Sequence, residues 1–135
     1  MNFKLAYKTY NFGISLASCK SFTDSTGLDL HCVLMDYIYT YTNLTGEPEL
    51  KKVSELGKLY SRDIACNLFS AITDKELNIP IEEFQDATYR TSWVQSSNVD
   101  GFSEPWPLVI VGVAMDVNKY ISENIHVKKK DISEG

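Results

Sequence analysis

Apolar residues recur with two different periods along the chain, and the change near residue 15 separates two kinds of secondary structure. Between Phe3 and Ile14 apolar and polar positions alternate, which is typical of a short β-hairpin or a pair of edge strands. Beyond residue 15, apolar residues recur three or four positions apart, which predicts amphipathic helices. These helices are expected at residues 16–26, 30–42, 49–60, 62–73, 80–92 and 105–124. Gly57 interrupts the segment at 49–60. We predict a mainly α fold, a small helical domain of about five helices with a short N-terminal β-hairpin.

Residues that favour helix ends lie at the expected boundaries. Ser15, Asp29 and Ser61 can each cap a helix N-terminus, because a short polar side chain accepts a hydrogen bond from an exposed backbone amide. Gly27 can end the first helix, because glycine adopts the left-handed conformation at little steric cost. Pro80 precedes two glutamates, and proline and acidic residues both favour the first turn of a helix.

The spacing also predicts which side chains of each helix face the core. The expected inward positions are Leu16, Cys19, Phe22, Leu30, Val33, Leu34, Tyr37, Ile38, Tyr41, Leu50, Val53, Leu56, either Leu59 or Tyr60, Ile64, Ala65, Leu68, Phe69, Ile72, Ile81, Phe84, Ala87, Tyr89, Val113, Ala114, Val117, Tyr120 and Ile121. The β-branched residues 108–111 also fit a buried strand, but the length of the apolar pattern favours a helix. Residues 94–102 are expected to form a polar loop.

Size and charge narrow the class of protein. A chain of 135 residues corresponds to about one domain, which we expect to span residues 1–125 and to be followed by a flexible tail at 126–135. The net charge of −5 argues against nucleic-acid binding, which requires clustered Lys and Arg. The longest apolar run, 108–115, is too short to cross a bilayer, so no membrane partner is expected.

Cysteine and histidine offer little recognisable chemistry. Cys19, Cys32 and Cys66 form an odd set without CxxC spacing, which is typical of reduced thiols in a cytoplasmic compartment. His31 adjoins Cys32, but adjacent residues of a helix point in different directions and do not form a site by local geometry. We therefore expect no catalytic residue, no metal ligand and no cofactor.

The strongest alternative to this non-enzymatic interpretation is acid–base catalysis at an acidic cluster. Glu82 and Asp86 are four residues apart, so they share a helix face that acid–base chemistry could use. A solvated face at a helix N-terminus explains them better, and Arg90 can pair with Asp86 within the helix. A small enzyme would require a polar pocket around these three residues.

Exposed strand edges and large aromatic residues suggest protein contacts instead. A two-stranded hairpin leaves unpaired backbone groups that can add a further strand, so we expect it to mediate contacts between copies. The two tryptophans are packing anchors or interface anchors. The candidate protein-interface residues are Phe3, Leu5, Tyr7, Tyr10, Phe12, Trp93 and Trp106.

Five short segments, in their order along the chain, resemble small proteins of tailed bacteriophages. They are NFGI at 11–14, FTDSTGLDL at 22–30, LYSRDIA at 59–65, IPIEEFQDA at 79–87 and SEPWPLV at 103–109. The order is similar to that of the tail assembly chaperones, which are encoded beside the tape measure protein. The similarity covers about residues 3–121.

The resemblance implies a mostly helical, non-enzymatic protein in the cytoplasm of an infected bacterium. Such a chaperone self-associates and coats the long tape measure protein until the tail tube polymerises around it. Repeated weak contacts along one client would give strong total binding through avidity. The alternative is another small phage protein, either a component of the tail or virion or an inhibitor that binds a host protein.

Overall fold

A β-hairpin packs on a set of helices, which matches the mainly α fold predicted from the sequence. The computed structural model describes residues 1–92 and 104–134, and for residues 124–134 it describes the backbone alone. The elements in these residues are β1 (Asn2–Leu5), β2 (Lys8–Asn11), α1 (Leu16–Thr26), α2 (Leu30–Asn43), α3 (Glu49–Gly57), α4 (Arg62–Ile72), α5 (Ile81–Arg90) and α6 (Trp106–Glu134). A short 3₁₀ turn, Lys75–Leu77, connects α4 to α5.

The hairpin is an integral part of the domain. Its strands pair antiparallel from Asn2 opposite Asn11 to Leu5 opposite Lys8. The two turn residues both have positive φ, 50° at Ala6 and 71° at the next residue, as in a type I′ turn. After β2 the chain bonds to the end of α4, where the amide of Gly13 donates to the Ile72 carbonyl at 2.9 Å.

The predicted helix caps are confirmed. The Ser15 hydroxyl accepts from the Ser18 amide at 3.1 Å, and the Asp29 carboxylate accepts from the Cys32 amide at 2.9 Å. The Ser61 hydroxyl likewise accepts from a backbone amide of the first turn of α4. Gly27 ends α1 with φ of 74°, and its amide donates to the Thr23 carbonyl at 2.7 Å. These four local interactions fix where α1, α2 and α4 begin and where α1 ends.

An aromatic cluster joins the hairpin to the helices. The ring of Phe3 lies 5.2 Å from the Tyr10 ring and 5.2 Å from the Phe69 ring, measured between centroids. Phe84 of α5 lies 5.3 Å from Tyr10 and 6.2 Å from Phe69. These separations are in the range that favours aromatic pairs, so β1, β2, α4 and α5 share one core.

Five of the helical positions predicted to face inward are exposed instead. They are Leu16, Leu50, Tyr89, Tyr120 and Ile121. Leu16 and Leu50 each lie in the first turn of a helix, where helical spacing predicted burial that the structure does not show. Helix α3 also ends at Gly57, before the predicted end at residue 60, and Gly57 lies against Pro107 of α6.

Helix α6 begins beside α5, where the amide of Trp106 donates to the Thr91 carbonyl at 3.1 Å. Residues 108–111 are helical, as the length of the apolar pattern predicted. The helical backbone continues through Glu134, ten residues beyond the predicted end at residue 124, and the flexibility of residues 126–135 stays a prediction. The predicted loop at 94–102 lies outside the described residues. Among the described helices, none has the length and apolar character that a bilayer crossing requires.

Candidate functional site

An apolar groove lies where the first turns of α1 and α2 meet the middle of α6. It has a volume of about 520 Å³, and we call it the α1–α6 groove. Its lining residues are Met1, Ile14, Ser15, Leu16, Cys19, Asp29, His31, Val117, Tyr120 and Ile121.

Large apolar side chains form most of the walls of this groove, and several are exposed to solvent. The exposed fraction is 73% for Leu16, 58% for Tyr120, 50% for Met1 and 36% for Ile121. Single exposed apolar residues are common on protein surfaces, whereas a group around one concavity is typical of a binding site. Four of the eleven large apolar side chains that are exposed in the described residues lie around this one concavity.

A thiol and an imidazole meet inside the groove. Cys19 Sγ lies 3.7 Å from His31 Nε2, which is within reach of a sulfur hydrogen bond. The helix caps create this arrangement: Ser15 starts α1 so that Cys19 falls in its first turn, and Asp29 does the same for His31 in α2. Both side chains therefore project from fixed helix ends toward one another.

Electrostatics keep the thiol protonated. Burial, and secondarily the charge of Asp29, raise the pKa of the Cys19 thiol above its ordinary value of 9.0. The Asp29 carboxyl has a lowered pKa, mainly because the Cys32 amide donates a hydrogen bond to it. A protonated thiol is a poor nucleophile, so Cys19 would need a base within reach to react. His31 occupies that position.

Four of the five candidate interface residues of the hairpin are buried in the core instead of lying on an exposed surface. Phe3, Leu5, Tyr10 and Phe12 are all buried, whereas Tyr7 at the turn is exposed. The apolar side chains of the strands are buried because α4, α5 and α6 cover the inward face of the hairpin. Contacts between copies through the hairpin edges stay a prediction.

Of the two tryptophans predicted to be packing or interface anchors, one lies within the described residues. Trp106 is buried at the start of α6, as expected for a packing anchor. Trp93 lies outside the described residues.

The acidic cluster lies on an exposed helix face. Asp86 Oδ2 accepts hydrogen bonds from Arg90 Nε at 2.9 Å and Nη2 at 2.6 Å, so the predicted intrahelical ion pair is confirmed. Both side chains are more than half exposed, and Glu82 is exposed as well. These exposed positions match a solvated helix face.

The described residues contain no group of three or more His, Cys, Asp or Glu side chains arranged to hold a metal ion. No family model, no curated protein and no solved structure matches this chain. The site must therefore be interpreted from its own geometry.

Sequence reasoning missed the Cys19–His31 pair because it compared His31 with its neighbour Cys32. The partner is twelve residues away on another helix. A usable signal was present: the caps Ser15 and Asp29 place both residues in first turns, and the short 27–29 connection brings those helices together. Local spacing alone does not reveal such a pair.

Proposed function

We propose that this protein is a non-enzymatic binding protein that holds an apolar helical segment of another protein in the α1–α6 groove. One observation carries the proposal: Met1, Leu16, Tyr120 and Ile121 expose large apolar side chains around a single concavity. An amphipathic helix placed in such a groove buries its apolar face, which is a common mode of peptide recognition.

The rim of the groove fits an amphipathic partner. Met1 and Tyr120 also border an adjoining surface that carries Asp116, Lys119 and Glu123. An apolar centre with a charged rim is the usual anatomy of a protein interface. Rim charges of both signs can pair with the polar flanks of a helix whose apolar face lies in the centre.

The free energy available from apolar burial in the groove favours weak binding of each single client segment. Full burial of one large apolar side chain contributes about 1.5–3 kcal/mol, and the groove side chains are already partly buried. After the cost of association, we expect a dissociation constant of roughly micromolar or weaker for one segment. Several copies on one long client would bind much more tightly through avidity.

The client we propose is the tape measure protein of a tailed bacteriophage, with the protein acting as a tail assembly chaperone in the host cytoplasm. The resemblance of five segments between residues 11 and 109 supports this assignment. Self-association of the chain is part of the same proposal, because coating a long client requires many copies.

Binding of purified protein to overlapping peptides from the tape measure protein of the same phage tests the proposal. We expect at least one peptide with a helical apolar stripe to bind, and Leu16→Asp to weaken that binding about tenfold or more, the equivalent of 1.4 kcal/mol. Leu77→Asp is the matched control, because Leu77 is also an exposed leucine but lies outside the groove.

Two results would contradict the proposal. Equal binding by wild type and Leu16→Asp would remove the groove from the interface. If no tape measure peptide binds, this protein is not its chaperone. Recovery of the protein in finished virions would favour a structural component of the particle, because a chaperone leaves before assembly ends.

A further inference from the structure

We propose that Cys19 is an S-acylation site, which accepts a medium or long acyl chain from an acyl coenzyme A thioester and holds that chain in the α1–α6 groove. Two independent features support the inference. Cys19 Sγ faces a base, His31 Nε2, at 3.7 Å, and the same residues open onto walls that are mainly apolar.

The other thiols of the protein lack this combination. Cys32 is exposed, but it does not line the groove, and its thiol bonds to Asp29 instead of an imidazole. Cys66 is buried in the core, where its Sγ lies 3.3 Å from the Thr88 hydroxyl. Only Cys19, among these three, has access to solvent, a base and an apolar surface together.

The reaction is a thioester exchange whose atoms balance without an oxidant or reductant. Cys19 Sγ attacks the carbonyl carbon of the acyl coenzyme A, and its proton passes to His31 Nε2 in the tautomer that accepts there. The tetrahedral adduct collapses as the carbon–sulfur bond to coenzyme A breaks. The imidazolium of His31 then returns the proton to the departing thiolate. One thiol and one thioester are consumed, and one of each is formed.

The need for a base follows from the environment of the thiol. Because burial raises the pKa of Cys19, the free thiolate is scarce at neutral pH. The attack therefore depends on proton transfer to His31 as the new bond forms.

The groove selects the acyl group. Leu16, Ile14, Val117 and Ile121 offer apolar contacts beside the thiol. Thioester exchange is nearly balanced in bond energy, so removal of the acyl methylenes from water drives the product. A long chain should therefore react faster and more completely at Cys19 than an acetyl group.

This inference rests on the groove and not on the proposed client, so the two can fail separately. The acylation assay contains no peptide, and the peptide assay contains no acyl donor. An acyl chain in the groove would occupy the surface proposed for the client, so acylated protein should bind no client peptide.

Incubation of the purified, reduced full-length protein with octanoyl or acetyl coenzyme A tests the proposal, with the modified cysteine located by peptide mass spectrometry. We expect octanoylation at Cys19, faster than acetylation there and faster than octanoylation at Cys32. His31→Gln should slow the Cys19 reaction about a hundredfold, the lower end for general-base catalysis. Cys19→Ser should abolish it, whereas Cys32→Ser should leave it unchanged.

The apolar wall is tested separately with Leu16→Asp and its control Leu77→Asp. We expect Leu16→Asp to remove the preference for octanoyl over acetyl, and Leu77→Asp to retain it. Circular dichroism confirms that each variant is folded. Acylation of Cys32 at the same rate as Cys19, an unaffected rate in His31→Gln, or no chain-length preference in the wild type would each overturn the proposal.

Discussion

Tyr10 of β2 donates a 2.6 Å hydrogen bond to Glu83 of α5, across a sequence separation of 73 residues. Lys8 Nζ lies 2.9 Å from the same carboxylate oxygen, Oε2. One side chain at the start of α5 therefore contacts two residues of the second strand. This contact explains how a short hairpin, marginal in isolation, is fixed to the helical core.

Glu83→Gln should destabilise the fold by about 0.5–1 kcal/mol at pH 7, the range expected for a partly exposed ion pair. The carboxyl has a lowered pKa, because Tyr10 and Lys8 donate hydrogen bonds to its charged form. For such a group the contribution is complete above the ordinary pKa of 4.5 and disappears as pH falls through the lowered value. Urea unfolding of wild type and variant at a series of pH values measures this difference.

Glu82→Gln is the control for that experiment. Glu82 lies in the same first turn of α5, so its loss removes a similar favourable interaction with the helix dipole. We expect a smaller effect from Glu82→Gln than from Glu83→Gln. Equal effects would mean that the hairpin contact contributes nothing beyond the helix dipole.

Trp106→Ala should destabilise the protein by roughly 3–5 kcal/mol, because the ring is buried at the start of α6 and its removal leaves a cavity. Thermal and urea unfolding provide the measurement. An unfolding free energy within about 1 kcal/mol of wild type would contradict a core role, since surface substitutions have effects of about that size or less.

Tyr37 and Tyr60 should respond oppositely to removal of their hydroxyls. The Tyr37 hydroxyl is buried and has no hydrogen-bond partner among the described residues, so Tyr37→Phe should stabilise the fold by about 1 kcal/mol. The Tyr60 hydroxyl donates to Asp36, so Tyr60→Phe should destabilise it by about 0.5–1 kcal/mol. Urea unfolding of both variants tests the pair, and a loss of stability in Tyr37→Phe would contradict the interpretation.

Ser61→Ala should cost about 1 kcal/mol through loss of the N-cap of α4. Ser61→Asn is the matched variant, since asparagine provides an equivalent acceptor, and it should retain wild-type stability. The midpoint of thermal unfolding distinguishes the two. If both substitutions have the same effect, the cap hydrogen bond does not stabilise α4.

Local chemistry made much of the fold predictable. The caps at Ser15, Asp29 and Ser61 and the glycine at residue 27 act through neighbours only a few residues away, so sequence alone locates them. Burial at helix ends was less predictable. Leu50 has the spacing of an inward residue, yet it is exposed in the first turn of α3.

The candidate site was much less predictable than the fold. The Cys19–His31 pair depends on how α1 and α2 pack, which the apolar period of each helix does not specify. The burial of the hairpin's aromatic residues was missed for the same reason. Phe3 and Tyr10 fit an exposed interface by their alternation, and only the position of α4 and α5 shows that they are buried.

The central claim is that the α1–α6 groove binds a helical client segment, and methyl NMR mapping tests it most directly. Titration with a binding tape measure peptide should shift the methyl signals of Ile14, Leu16 and Ile121, which line the groove. The signals of Leu50 and Leu77, which are exposed elsewhere, should stay unchanged. Shifts confined to Leu50 or Leu77, with the three groove methyls unaffected, would contradict the account.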